Sequence, residues 1–443
     1  MNKMTREYYQ ETMGPATGSV TPSQTNPARR KVLFLCYRFP YPLIGGDRIK
    51  SYHLLEHLST FADVDLIALN EWNTGFGEYL DHIRSMVHSV TVIPFSPMKA
   101  SLRIAGSLFT RLPIEMAWYK VPEMQKAVDA ALDRTNYDMV FSFFTRTACY
   151  VSDYKGAKML IAEDSRILAD ERASKSFELT PEYIVRRLDA AKLLRYEPDT
   201  MKKFSVTSFV ARPDEERVKA VDPSLRTAIL TNGVDTDYFD YRDGSEREDA
   251  LLFTGHLRIF HNTRMAHRII KHIYPAIKEV YPNMKLWIVG NAAPKSVRKL
   301  VEKTEGAELF EGVKDMRPFY HKAKLFLHPQ DVGAGIQNKL LESMATGCPI
   351  VTTAIGASGI DGIINGMHVF VSETDDEFIQ TALRLLGNTE ERGWLARNSR
   401  TLIERRYKWA NIYQSLDDIL EGLIPDFFKV NDSLPATKKK KTN

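Results

Sequence analysis

Cysteine is scarce in this chain: Cys36, Cys149 and Cys348 stand singly among 443 residues. An odd, scattered set argues against a disulfide framework or a Cys-based metal site and fits a reducing cytoplasm, each thiol serving as a small core residue. Long apolar runs are missing too. No stretch approaches the ~20 residues of a membrane-spanning helix. The first 30 residues are polar without an apolar core segment, so no secretory signal is expected. Nor does one sign of charge dominate. The net charge of +4 is small for this length and gives no reason to expect nucleic acid. What remains, 44% hydrophobic and 26% charged, is the composition of a soluble globular protein with room for two or three domains.

Residues 1–30, rich in Thr, Ser, Pro, Asn and Gln, are expected to be a disordered tail. The apolar run K-V-L-F-L-C-Y (31–37) reads as a strand covered on both faces. A loop with Gly45 and Gly46 follows, and Asp47 is expected to cap a helix carrying Ile49, Tyr52, Leu54, Leu55 and Leu58. Further strands are expected at 64–69, 90–94, 139–143, 158–162, 204–210 and 227–230, with one long helical region at 166–202. Two strand tips carry polar groups, Thr145-Arg146 and Glu163-Asp164-Ser165-Arg166. Such tips collect binding groups in open α/β sheets; the plainer reading is that Asp164 and Ser165 only cap helices. Met98 to Tyr119 is basic and amphipathic, suited to an anionic membrane surface or to packing on its own domain.

The polar segment Arg242–Asp249 marks a boundary, after which strands recur at 250–255, 285–290, 307–313, 324–329, 349–353 and 368–371. Alternation of strand and helix in both halves predicts an α/β protein with two doubly wound, mostly parallel sheets facing across a cleft. The expected units are 31–240, 241–407, a C-terminal helix at 408–425 packing back on the first domain, and a basic disordered tail at 426–443 containing K-K-K-K (438–441).

The most informative stretch is Asp331 to Thr352. Gly333 and Gly335 allow close approach of a ligand to the backbone. Asn338 is expected to be an N-cap, leaving helix-start amides for phosphate. Lys339 and Glu342 share a face of that helix. A cation, a carboxylate and a helix end together suit a nucleoside diphosphate; a charged outer face of an ordinary amphipathic helix is the plainer alternative.

L-L-E-S-M-A-T-G-C-P-I-V-T (340–352), T-N-G-V-D-T-D-Y-F (231–239) and F-T-G-H-L-R-I-F-H-N-T-R (253–264), in this order, resemble the retaining glycosyltransferases of family 4, which have the two-domain GT-B fold of facing Rossmann-like sheets. The likeness spans about 32–425. R-F-P-Y-P-L-I-G-G-D-R-I-K-S-Y-H-L-L (38–55) and G-I-Q-N-K-L-L-E (335–342) resemble, more narrowly, sugar transferases of exopolysaccharide and exosortase (PEP-CTERM) systems. The resemblance implies transfer of a sugar from a nucleotide-diphosphate sugar to a glycan or lipid-linked acceptor in the cytoplasm, with peripheral contact at the inner membrane face. Glu342 would hold the ribose, and Arg258 and Lys339 the diphosphate. Gly45, Gly46, Gly255, Asn262, Arg264, Gly335, Ile336, Gln337 and Asn338 would complete the donor site. Asp164 joins the catalytic candidates, and Arg146 and His53 are candidates on the acceptor side; for His53, beside Leu54 and Leu55, a structural role is the alternative. One departure stands out: where the family sets a first Glu, seven residues intervening before Glu342, this chain has Ala334. No protein nucleophile, metal or other cofactor is expected. A nucleotide-sugar epimerase and a non-catalytic nucleotide-sugar-binding or scaffold subunit remain alternative readings.

Overall fold

A computed structural model describes residues 29–70, 77–107, 110–174 and 181–428. The expected tails lie almost wholly outside these residues, as do Leu108 and Phe109 of the amphipathic segment and the four lysines at 438–441. The first sheet has seven strands: β1 (Arg30–Cys36), β2 (Ala62–Asn70), β3 (Ser89–Pro94), β4 (Met139–Phe143), β5 (Lys158–Glu163), β6 (Val206–Phe209) and β7 (Thr227–Ile229). Their order is β3-β2-β1-β4-β5-β6-β7, parallel throughout. The second has six: β8 (Glu248–Thr254), β9 (Lys285–Val289), β10 (Ala307–Phe310), β11 (Ala323–His328), β12 (Ile350–Thr352) and β13 (Phe370–Val371), in the order β10-β9-β8-β11-β12-β13. Both sheets reverse direction beside their first strand, and the crevice at such a reversal is where α/β sheets bind ligands.

The cores follow from the period of two along each strand. In β1, Val32, Phe34 and Cys36 enter one core while Leu33 and Leu35 enter the other. In β8, Leu251 and Phe253 oppose Ala250 and Leu252 in the same way. Strands buried on both faces need continuous apolar runs, which is why these segments lack polar alternation.

The helix Trp409–Leu423 belongs to the first sheet, although it follows the second in sequence. Trp409, Ile412, Leu416 and Leu420 complete the core over β1 and β4. His53 stacks on Trp409 with ring centroids 4.0 Å apart, and His57 bonds Asp417 at 2.7 Å. The chain crosses back where Val234 N donates to Tyr407 O at 2.7 Å.

Several local expectations need correction. The helix after β1 begins at Gly46, and Asp47, already in its first turn, accepts from the Tyr37 hydroxyl and from Arg38 instead of capping. The expected helical region 166–202 is helical over Arg166–Ser174 and Pro181–Met201, with 175–180 outside the described residues. Order extends past 425 because Phe427 is buried and stacks edge-on against Phe61. In the amphipathic segment the helix Pro97–Ser107 buries Ala100 yet leaves Met98 and Leu102 exposed at 76% and 72%.

Replacing Leu416 with alanine should destabilise the first core by about 2–5 kcal/mol. The midpoint of urea unfolding, followed by the first transition lost, reads this; a change under about 1 kcal/mol would show that the helix contributes little to that core.

Candidate active site

Between the sheets lies a cavity of about 930 Å³, walled by the tips of β1, β4, β5, β8 and β9 and by the start of the helix Asn338–Thr346. Gly333 and Gly335, at φ 121° and 70°, turn the loop that precedes this helix. The loop is tied to the opposite domain: Gly333 O accepts from Arg172 at 2.9 Å and Gly335 N donates to Asp214 at 3.2 Å. Gln337 occupies the N-cap without a side-chain cap bond. Asn338 is therefore not the expected cap. It lies inside the first turn, and its Oδ1 accepts from Asn232 across the cleft at 2.7 Å. Gly46 presses on the same amide, so a Cβ there would come within 3.0 Å of Asn338 Nδ2.

Lys339 Nζ donates to Asn262 Oδ1 at 2.6 Å and lies over the Phe253 ring. Burial pushes its pKa down to about 7, against the opposing pull of Glu342. Glu342 accepts from the Tyr320 hydroxyl at 2.8 Å; burial raises its pKa, with Tyr320 and Lys339 opposing. His261 is pushed down to about 4 by burial and by the neighbouring Lys339. This wall thus sets one buried cation, Lys339, with an amide as its close partner and Glu342 one turn on, a perturbed cluster of the kind found at functional sites. Asn262 Nδ2 donates to His256 O at 3.0 Å, and a Cβ on Gly255 would fall 2.9 Å from Asn262 Cγ, so the turn after β8 closes tightly over it.

Of the sequence-derived candidates, Gly45, Gly46, His53, Asp164, Gly255, Asn262, Gly335, Ile336, Gln337, Asn338, Lys339 and Glu342 all line this cavity. Three do not, which corrects their expected places. Arg258 is solvent-exposed, while His256 and Ile259 on either side of it line the cavity. Arg264 is engaged by Asp331, which neutralises it away from the cavity. Arg146 is held at 2.6 Å by Glu115 and stacks over Tyr37. His53 reaches the cavity edge, but its ring is clamped by Trp409 and by Tyr413 at 3.0 Å.

Glu163 was placed at a polar strand tip by the sequence, but its partner Lys50, like Asp214 and Tyr320, escaped that reading. Glu163, at φ 71°, ends β5 in the left-handed region and pairs with buried Lys50 at 2.6 Å. Its pKa is pushed up to about 7 by burial, with Lys50 opposing. Lys50 had a signal, since it sits four residues before Leu54 on the buried stripe of its helix. Asp214, four before buried Val218, carries the same signal. Tyr320 had none.

Comparison with known proteins bears on this arrangement. Residues 248–388 match the family model for Glycosyl transferases group 1. A Klebsiella pneumoniae protein described as an uncharacterized 44.6 kDa protein in the cps region is 22% identical over 402 residues, 87% of this chain and 98% of that one. Lipopolysaccharide 1,2-N-acetylglucosaminetransferase of Salmonella typhimurium is 24% identical over 253 residues, 51% of this chain and 63% of that enzyme. Sucrose-phosphate synthase from Thermosynechococcus elongatus superposes with a TM-score of 0.67 at 15% identity, covering 89% of this chain and 99% of that one. Anabaena HepE in complex with UDP gives 0.63 at 15% identity, covering 88% and 100%. The fold is GT-B, and the matched domain supports a glycosyltransferase.

Lys339 makes a stability prediction. Its folded pKa near 7 lies below its ordinary unfolded value of 10.5, so between those limits the unfolded state binds more protons and stability rises with pH. Lys339→Met should therefore stabilise the protein at pH 7 by roughly 1–3 kcal/mol. The gain should shrink toward pH 10. Thermal unfolding of both proteins across that range tests it, and a pH-independent difference would refute a depressed Lys339.

Proposed function

We propose that this protein is a retaining glycosyltransferase of the family-4 type, moving a sugar from a nucleoside-diphosphate sugar to a glycan or lipid-linked acceptor in cell-surface polysaccharide assembly. The observation that carries the reading is Lys339, a cation with an amide rather than a carboxylate as its close partner, set at a helix start in the wall of a large interdomain cavity with Glu342 one turn on. The match over 248–388, the capsule-region Klebsiella relative and the Salmonella sugar transferase support it.

In this mechanism the anomeric C–O bond breaks and negative charge builds on the departing diphosphate. Lys339 and the amides of the helix start are preorganised against that charge, a contribution worth ~10²–10³ in rate per donor. An incoming diphosphate favours the charged form of Lys339, reversing the effect of burial. Glu342, oriented by Tyr320, takes the ribose hydroxyls. The acceptor hydroxyl attacks on the face the diphosphate leaves and gives its proton to the leaving phosphate, so the configuration is retained without a protein nucleophile. We take the reaction to be metal-independent. For a lipid-linked acceptor, exposed Met98 and Leu102 beside Lys99 offer a face for an anionic membrane surface.

The test is a thermal-shift panel with UDP, GDP and their sugar derivatives on the wild type and Glu342→Ala. A ligand at 100 times its Kd should stabilise by ~2.7 kcal/mol. One nucleotide is expected to shift the wild type and to lose most of its effect in the variant. Silence from every nucleotide would favour a non-catalytic scaffold, for which Ala334 is the supporting observation. Turnover should also survive EDTA; loss of activity restored by Mg²⁺ or Mn²⁺ would overturn metal independence.

A further inference from the structure

Five carboxylates line the cavity: Asp47, Glu163, Asp164, Asp235 and Glu342. Asp47 is engaged by Tyr37, Glu163 by Lys50, Asp235 by the amides of Asp237 and Tyr238, and Glu342 by Tyr320. Asp164 is divided. Its Oδ2 holds Arg166 at 3.1 Å, whereas Oδ1 is closed to solvent and has no hydrogen-bond partner among the described residues.

The turn that carries Asp164 is held from several sides. Glu197 accepts the amides of Arg166 at 2.9 Å and Ile167 at 3.0 Å, and Asp214 accepts that of Ser165 at 2.8 Å. Arg166 is pinned from behind by Glu115 at 2.9 Å, which is itself gripped by Arg146. An acceptor oxygen fixed this firmly and left unpaired is costly unless a ligand completes it. Facing it is the loop before the helix Asn338–Thr346, where a Cβ on Gly335 would lie 3.5 Å from Asp164 Cβ. That loop brings no acid of its own to the cavity: Ala334 is apolar and Asp331 is spent on Arg264.

We propose that Asp164 is a specificity-determining residue for the donor's sugar, its Oδ1 accepting a hydrogen bond from a sugar hydroxyl. The contact comes from the domain opposite the one that holds the nucleotide. This rests on the glycosyltransferase reading above. Oδ1 is closed to water in this conformation, so the contact forms only as the donor enters the cavity. Arg146 and Glu115 are then positioning residues that act through Arg166.

Calorimetric titration with UDP, UDP-glucose, UDP-N-acetylglucosamine, GDP and GDP-mannose distinguishes the possibilities. Asp164→Ala should bind the free nucleoside diphosphate as the wild type does, and its sugar derivative about 10- to 100-fold more weakly. Asp164→Asn keeps the shape of the turn and a neutral, weaker acceptor, and should change the same ratio in the same direction by a smaller factor, which covers the case in which the alanine variant fails to fold. An unchanged ratio of sugar-derivative to free-nucleotide affinity, or an equal loss for both, would overturn the assignment while leaving the proposed function intact. A wild type that binds none of these ligands would overturn both.

Discussion

Asp214 spends its two oxygens on two backbone amides that belong to facing domains, Ser165 N and Gly335 N. The carboxylate is almost wholly buried, and removing water from it without such partners would be prohibitive. Burial and the nearby charge of Asp164 push its pKa up to about 7, with the two amides opposing. The width of the cleft, the path of the glycine loop and the seat of the helix that begins at Asn338 all depend on this bridge. Arg172 on Gly333 and Asn232 on Asn338 reinforce it from either side.

The site is electrostatically unfinished in a way the cores are not. Around β1 and β8 the side chains are apolar and fully covered. At and beyond the strand ends stand Lys339, His261, Glu163 and Asp214, each with a pKa displaced by burial. Such groups cost stability in the empty protein and are repaid by a ligand. The surrounding sheets supply the rigidity that keeps them in place.

Much of the fold was legible because a doubly covered parallel strand must be an unbroken apolar run, and Lys31–Tyr37 and Ala250–Gly255 are such runs. The amphipathic spacing of Trp409, Ile412, Leu416 and Leu420 likewise marked the last helix. The site was legible only in part. Lys339 and Glu342 reach the cavity because three-residue spacing on one helix is a local fact. Arg264 does not, because its guanidinium is taken by Asp331, distant in sequence. Asn338 was misread as a cap for the same reason: Asn232 competes for its side chain. Asp214 and Lys50 act through contacts spanning more than a hundred residues, which no window of sequence contains.

The return of the helix Trp409–Leu423 to the first sheet has a consequence for biogenesis. The second domain closes its own core with residues up to Tyr407, all available once that segment has left the ribosome. The first domain, synthesised earlier, keeps one of its two cores incomplete until Leu416, Leu420 and Phe427 emerge to join Leu54, Leu55 and Leu58. Maturation therefore runs against the order of synthesis. The half made first is completed last, and its exposed apolar face is the surface that chaperones must guard while translation finishes.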